Sequence, residues 1–211
     1  MERPHGLRRN NEPGDVAAND VFLNVPYDRE FTGLFLAYIA GLAALGLSPR
    51  TTLEIPGGEP RLDRILALIL SCPSSIHDLS RIDTPRFNMP FELGLAVACQ
   101  KIELPEQKWL VFATGRGRIE KALSDLGGTD VYIHYGRPAG VFAELTNAFV
   151  RSRRRATVNQ MGRVFAGLQD ALPGIKRDAG TTSCFKARVF EDLCILASKQ
   201  RPVRGLTWSD G

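Results

Sequence analysis

The sequence is poor in the residues from which metal sites and disulfide frameworks are built. Three histidines (His5, His77, His134) are scattered over 211 residues, and the four cysteines (Cys72, Cys99, Cys184, Cys194) form no C-x-x-C pair. Neither a zinc site nor a disulfide scaffold is expected from that pattern. Long apolar runs are also missing. The richest stretch, Phe31 to Leu47, is interrupted at Gly33, Gly41 and Gly46 and is too short to span a bilayer. Met1 to Asp20 is polar and lacks the apolar centre of a secretory signal. These absences point to a cytoplasmic protein with reduced thiols and no membrane partner. A glycine-rich phosphate loop is absent as well: Gly115-Arg116-Gly117-Arg118 follows a strand-like run but lacks the third glycine of a dinucleotide fingerprint.

What is present is the composition of a globular protein, with 44% hydrophobic and 24% charged residues, which excludes global disorder. The formal net charge of +4 divides unevenly. Residues 1 to 150 sum to −3, whereas residues 151 to 211 carry 12 basic and 5 acidic side chains. The run Arg151-Ser152-Arg153-Arg154-Arg155 opens this basic part. Without a base-reading motif or stacking aromatics it reads as a solvated face, and a nucleic-acid partner ranks last.

Residues 1 to 19 show no periodicity and are expected to form a flexible leader. Apolar runs at Val21 to Val25, Pro49 to Leu53, Ser74 to Asp78, Trp109 to Thr114 and Val131 to Tyr135 alternate with helical stripes. The stripes fall at Asp28 to Leu45, Leu62 to Leu70, Pro90 to Gln100 and Ala139 to Arg153. Such alternation predicts an α/β domain over residues 20 to 155, with a five-stranded parallel sheet in the flavodoxin-like order 2-1-3-4-5 between two helical layers. Residues 156 to 211 form a basic C-terminal helical extension, expected as a hairpin broken at Pro173 and Gly174.

Ligands of such sheets sit outside the carboxyl ends of the strands. That rule selects Asn24 to Asp28 and His77 to Asn88. Asp78 stands at the end of the third strand and Glu92 near the start of the next helix, 14 residues on, so a loop can bring both carboxylates to one crevice. Paired carboxylates in different environments suit glycosidic bond cleavage, where the sugar gains oxocarbenium character. With Met89 as N-cap, however, Glu92 falls at the third helical position, where a carboxylate caps backbone N–H groups and is kept ionised by the helix dipole. Asp78 serves equally as a loop cap and His77 as a buried structural histidine. Arg81 and Arg86 read either as solvated residues or as phosphate partners.

Three segments together resemble nucleoside 2-deoxyribosyltransferase-like proteins and their TIR-like relatives over about residues 20 to 150. They are V-F-L-N-V-P-Y-D (Val21 to Asp28), H-D-L-S-R (His77 to Arg81) and N-M-P-F-E-L-G-L-A (Asn88 to Ala96). The resemblance implies that Glu92 acts at the anomeric carbon, that Asp78 contacts the nucleoside, and that Asn24, Pro26 and Tyr27 form one wall of the pocket. His77, Arg81, Arg86 and Asn88 complete the candidate ligand-binding set. Arg86, Phe87, Asn88 and Met89 replace the aspartate and small residues usual in the deoxyribosyltransferases, and such an entrance suits a nucleotide or NAD. The expected activity is N-glycosidic cleavage or transfer on a nucleoside, nucleotide or NAD, with NAD as substrate and no cofactor. The alternative is a non-catalytic nucleotide-sensing or assembly domain, and a homo-oligomer is compatible with either.

Overall fold

Short apolar runs become strands, and the helical stripes between them cross from strand to strand. The computed structural model describes residues 18–54, 58, 60–81, 88–115, 128–152 and 154–202. The strands are β1 (Asp20–Asn24), β2 (Ser48–Arg50), β3 (Ser74–Asp78), β4 (Lys108–Ala113) and β5 (Val131–Ile133). All neighbours pair in parallel, in the order β2-β1-β3-β4-β5, which is the flavodoxin-like three-layer arrangement. Val21 lies between Pro49 and Ser74, which fixes the register. Pro49 occupies the edge strand, where its missing N–H costs no ladder bond inside the sheet.

The described helices are α1 (Thr32–Ala44), α2 (Arg61–Ser71), α3 (Asn88–Ile102), α4 (Pro138–Ala148), α5 (Val158–Asp178) and α6 (Ala187–Gln200). α1 is apolar on every side, and every residue from Leu34 to Ala44 is buried. A helix of that kind needs cover all round. Val21, Leu23, Ile76 and Phe112 of the sheet cover one side, Val141 and Leu145 of α4 another, and Met161, Val164, Val189 and Phe190 of α5 and α6 the rest. The Phe35 and Phe190 rings lie 5.8 Å apart. Each such side chain contributes about 1.5–3 kcal/mol through burial. The basic C-terminal helices therefore share one core with the sheet. On the opposite face α2 and α3 pack through Ile65, Leu68, Ile69, Leu93 and Ala96 against Phe22 and Val111.

Several boundaries differ from the sequence pattern: β2 covers Ser48–Arg50 and not Pro49 to Leu53, α1 begins at Thr32 after a 3-10 turn at Arg29–Phe31, and three further departures have a clear physical cause. α5 does not break at Pro173 and Gly174 but runs on to Asp178. Proline removes one bond, that to the Gln169 carbonyl, and both Pro173 and Gln169 are on the exposed side, where water replaces it. α5 is also held at its start, where Thr157 and Gln160 form a reciprocal capping box. α4 ends at Ala148 because Phe149 leaves helical geometry (φ −113°, ψ 40°). β5 stops at Ile133, and the chain turns sharply through Tyr135 and Gly136, both at positive φ.

Candidate active site

Successive residues of a strand point to opposite faces of a sheet, and this decides where the third strand presents its polar groups. Ile76 belongs to the α1 core, and Asp78, two residues on, meets Tyr38 of α1. His77 points the other way, with its ring edge-on to Phe22 at 6.1 Å beneath α2 and α3. Glu92 lies on α3, hence on the His77 side. The expected convergence of Asp78 and Glu92 in one crevice does not occur: the carboxylates belong to opposite layers.

Asp78 is fully buried and fully engaged. Its Oδ2 accepts from the Tyr38 hydroxyl at 2.7 Å and from His134 Nε2 at 3.1 Å, and its Oδ1 accepts from the Ser80 backbone N–H at 2.9 Å. Burial, reinforced by the Asp78 charge, holds the Tyr38 hydroxyl well above the usual tyrosine range. The Gly136 N–H donates to His134 Nδ1 at 3.1 Å, which places the imidazole proton on Nε2. Ser80 Oγ lies 3.2 Å from that same Nε2. A nucleophilic serine needs the basic nitrogen of the ring, with the carboxylate on the other one. Here both partners meet the protonated nitrogen, so the cluster is a structural clamp and not a hydrolase triad. Gly140 completes the clamp by close approach: a Cβ there would lie 2.1 Å from the His134 carbonyl oxygen.

Glu92 has a different setting. It is 3% exposed, at the base of a narrow crevice of about 10 Å³ lined by Asn24, Val25, Tyr27, Thr52, Arg61 and Met89 among others. That is the space of about one water. Its Oε1 is 3.4 Å from Arg61 Nη2 at the start of α2, and the Arg61 side chain is 52% exposed. Burial raises the Glu92 pKa above the ordinary carboxylate range, and the Arg61 charge opposes that rise. The capping expectation is overturned too. α3 begins at Asn88, so Glu92 falls outside its first turn, and its hydrogen-bond partner among the described residues is Arg61.

The remaining candidates separate in the same way. Asn24 lines the crevice and donates through Nδ2 to His77 Nδ1 at 3.0 Å, and His77 Nε2 then donates to Ser75 Oγ at 3.0 Å. Burial holds His77 neutral, with its pKa lowered to about 3. Tyr27 lines the crevice, its hydroxyl 3.3 Å from Thr52 Oγ1. Pro26 is buried beside it, and Asn88 is exposed at the start of α3. Arg81 does not stand free for a phosphate: it pairs with Asp28 at 3.3 Å and Glu30 at 2.5 Å. Arg86 lies outside the described residues. Arg61, Thr52 and Tyr38 were not singled out by the sequence, because their partners are 25 to 40 residues away and nothing local marks them.

The fold and this crevice define a doubly wound α/β protein with a desolvated carboxylate at the carboxyl edge of its sheet. Comparison with protein-family models, curated proteins and solved structures finds no match for the chain.

Proposed function

We propose that the protein cleaves or transfers the N-glycosidic bond of a nucleoside, nucleotide or NAD, with Glu92 acting at the anomeric carbon. The observation that carries this reading is the state of Glu92: a buried carboxylate at the ligand-binding edge whose described partner is one half-exposed arginine. An anion in such a low-dielectric place attracts a developing oxocarbenium ion far more strongly than it would in water. As the C1′–N bond breaks, its electron pair leaves with the base. The Glu92 carboxylate then stabilises the sugar cation or forms an ester with C1′, and water or a second nucleophile takes the sugar from it. Arg61 lies across the carboxylate, and its exposed side chain can swing aside to admit the sugar. Tyr27 and Asn24 supply the walls. Asp78 has no part in this chemistry, since it is fully buried and both its oxygens accept from protein donors.

Incubation of the purified chain with NAD and a panel of nucleosides and nucleotides, beside Glu92→Gln, tests the reading. Base release should fall by about 10³-fold in the variant. The proposal fails if no base is released from any of these substrates, or if the variant keeps pace with wild type. A second reading, nucleotide sensing without turnover, draws on the narrowness of the crevice. It requires ligand binding that shifts the melting temperature equally in wild type and Glu92→Gln. Mass measurement under assay conditions shows whether either property depends on self-association.

A further inference from the structure

Tyr27 has two sides. Its hydroxyl reaches Thr52 at the Glu92 crevice, while its ring packs on Phe185 at 5.5 Å. On the Phe185 side lies a second, larger cleft of about 440 Å³, between the β1–α1 connection and the α5–α6 connection. Arg29, Thr32, Lys176, Thr182 and Ser183 line it, and among the described residues no acidic side chain does. The sequence places acids on both sides of Arg29, yet Asp28 and Glu30 are both taken by Arg81, and Asp28 also accepts from the Phe31 N–H at 2.9 Å. Arg29 and Lys176 therefore bring two positive charges to the cleft without a carboxylate in its lining. Ser183 Oγ accepts from the Phe185 N–H at 3.1 Å, which leaves its own proton available to a ligand.

Two cations and several hydroxyl donors around a cavity of small-molecule size are the recognition chemistry of a phosphate group. We propose that this cleft is a phosphate-binding subsite, built half by the C-terminal helices, so that the ligand of the Glu92 crevice is a 5′-phosphorylated nucleoside or a dinucleotide and not a free nucleoside. Tyr27, shared by cleft and crevice, is the wall along which the sugar and its phosphate lie. The assignment of the sugar rests on the reading of Glu92 above; the phosphate contact stands on Arg29 and Lys176 alone. It also gives the basic segment a task beyond covering α1.

Titration calorimetry of the full chain with inorganic pyrophosphate tests the phosphate contact directly. Pyrophosphate should bind wild type and Glu92→Gln alike, and at least about tenfold more weakly to Arg29→Gln/Lys176→Gln. Arg29→Gln alone, at an exposed side chain, should give part of that loss with an unchanged melting temperature, which separates it from misfolding. In base-release assays AMP should be preferred over adenosine in kcat/KM by a similar factor, and the double variant should erase the preference. Equal pyrophosphate affinity in wild type and double variant, or no binding to wild type at millimolar concentration, overturns the subsite. If pyrophosphate binding behaves as described but no nucleotide loses its base, the subsite stands and the glycosidic reading falls. If base release depends on Glu92 while AMP and adenosine are used equally, the reverse holds.

Discussion

Asp78 and Glu92 are both withdrawn from water, on opposite sides of the same sheet, and are treated in opposite ways. Asp78 is fully buried and accepts three hydrogen bonds, from the Tyr38 hydroxyl, His134 Nε2 and the Ser80 backbone N–H. Among the described residues Glu92 has one long contact, with a half-exposed arginine that lines the same crevice. A carboxylate whose lone pairs are satisfied by the protein stabilises the fold and has little left for a substrate. A carboxylate left short of partners costs stability and gains reactivity. The comparison therefore assigns structure to one acid and chemistry to the other, although the sequence offered them as a pair.

The contrast is broken most sharply by exchanging the two effects. If it holds, Glu92→Gln lowers base release by about 10³-fold while leaving the protein at least as stable as wild type. Asp78→Ala should instead lower the unfolding free energy by about 3 kcal/mol or more, since the Tyr38 hydroxyl loses its acceptor in a dry interior and the His134 Nε2 proton is left with Ser80 Oγ alone. Chemical denaturation of both variants at neutral pH decides this. A destabilised Glu92→Gln together with an unaffected Asp78→Ala would reverse the assignment.

A smaller effect separates His77 from a catalytic histidine. Its folded pKa is lowered from 6.5 to about 3, so between those values the unfolded chain binds the extra proton and stability is lost as pH falls. At pH 5 this group alone accounts for about 2 kcal/mol. The pH dependence of unfolding should be correspondingly shallower in His77→Gln, while any pH profile of activity keeps its shape. For Glu92 the sign is opposite. Its folded pKa is raised, so its contribution is favourable below the ordinary carboxylate range and is lost as pH rises through the folded pKa. The acid limb of activity should lie above that ordinary range.

The smallest expected change comes from Arg61. It lowers the Glu92 pKa but is half exposed, so Arg61→Gln should move the acid limb of the activity profile upward by less than about one unit. A limb that moved downward would count against Glu92 as the titrating group.

The glycine at position 140 shows why part of the site could not be read locally. Nothing in Arg137-Pro138-Ala139-Gly140 announces that this turn approaches the His134 carbonyl, or that His134 then reaches Asp78, 56 residues earlier. By contrast, the end of β1, with Asn24 and Tyr27, and the motif around Glu92 were legible because a parallel sheet must deliver its strand ends and helix starts to one edge. The same reasoning recovered the strand order. It did not recover the fate of α5 at Pro173, since only packing on α1 and α6 reveals that the proline lies on a solvent side.

By itself, then, the sequence determined the alternation of strands and helices, the order of the sheet and the edge at which polar residues gather. All of these follow from periodicity and from the handedness of crossovers, which are local or general rules. The tertiary structure alone decided which polar residues at that edge meet. Strand parity sends His77 and Asp78 to opposite layers, α3 packs on the His77 side, and the C-terminal helices bring Lys176 opposite Arg29. Those meetings depend on contacts between segments far apart in the chain, and no spacing within one segment encodes them.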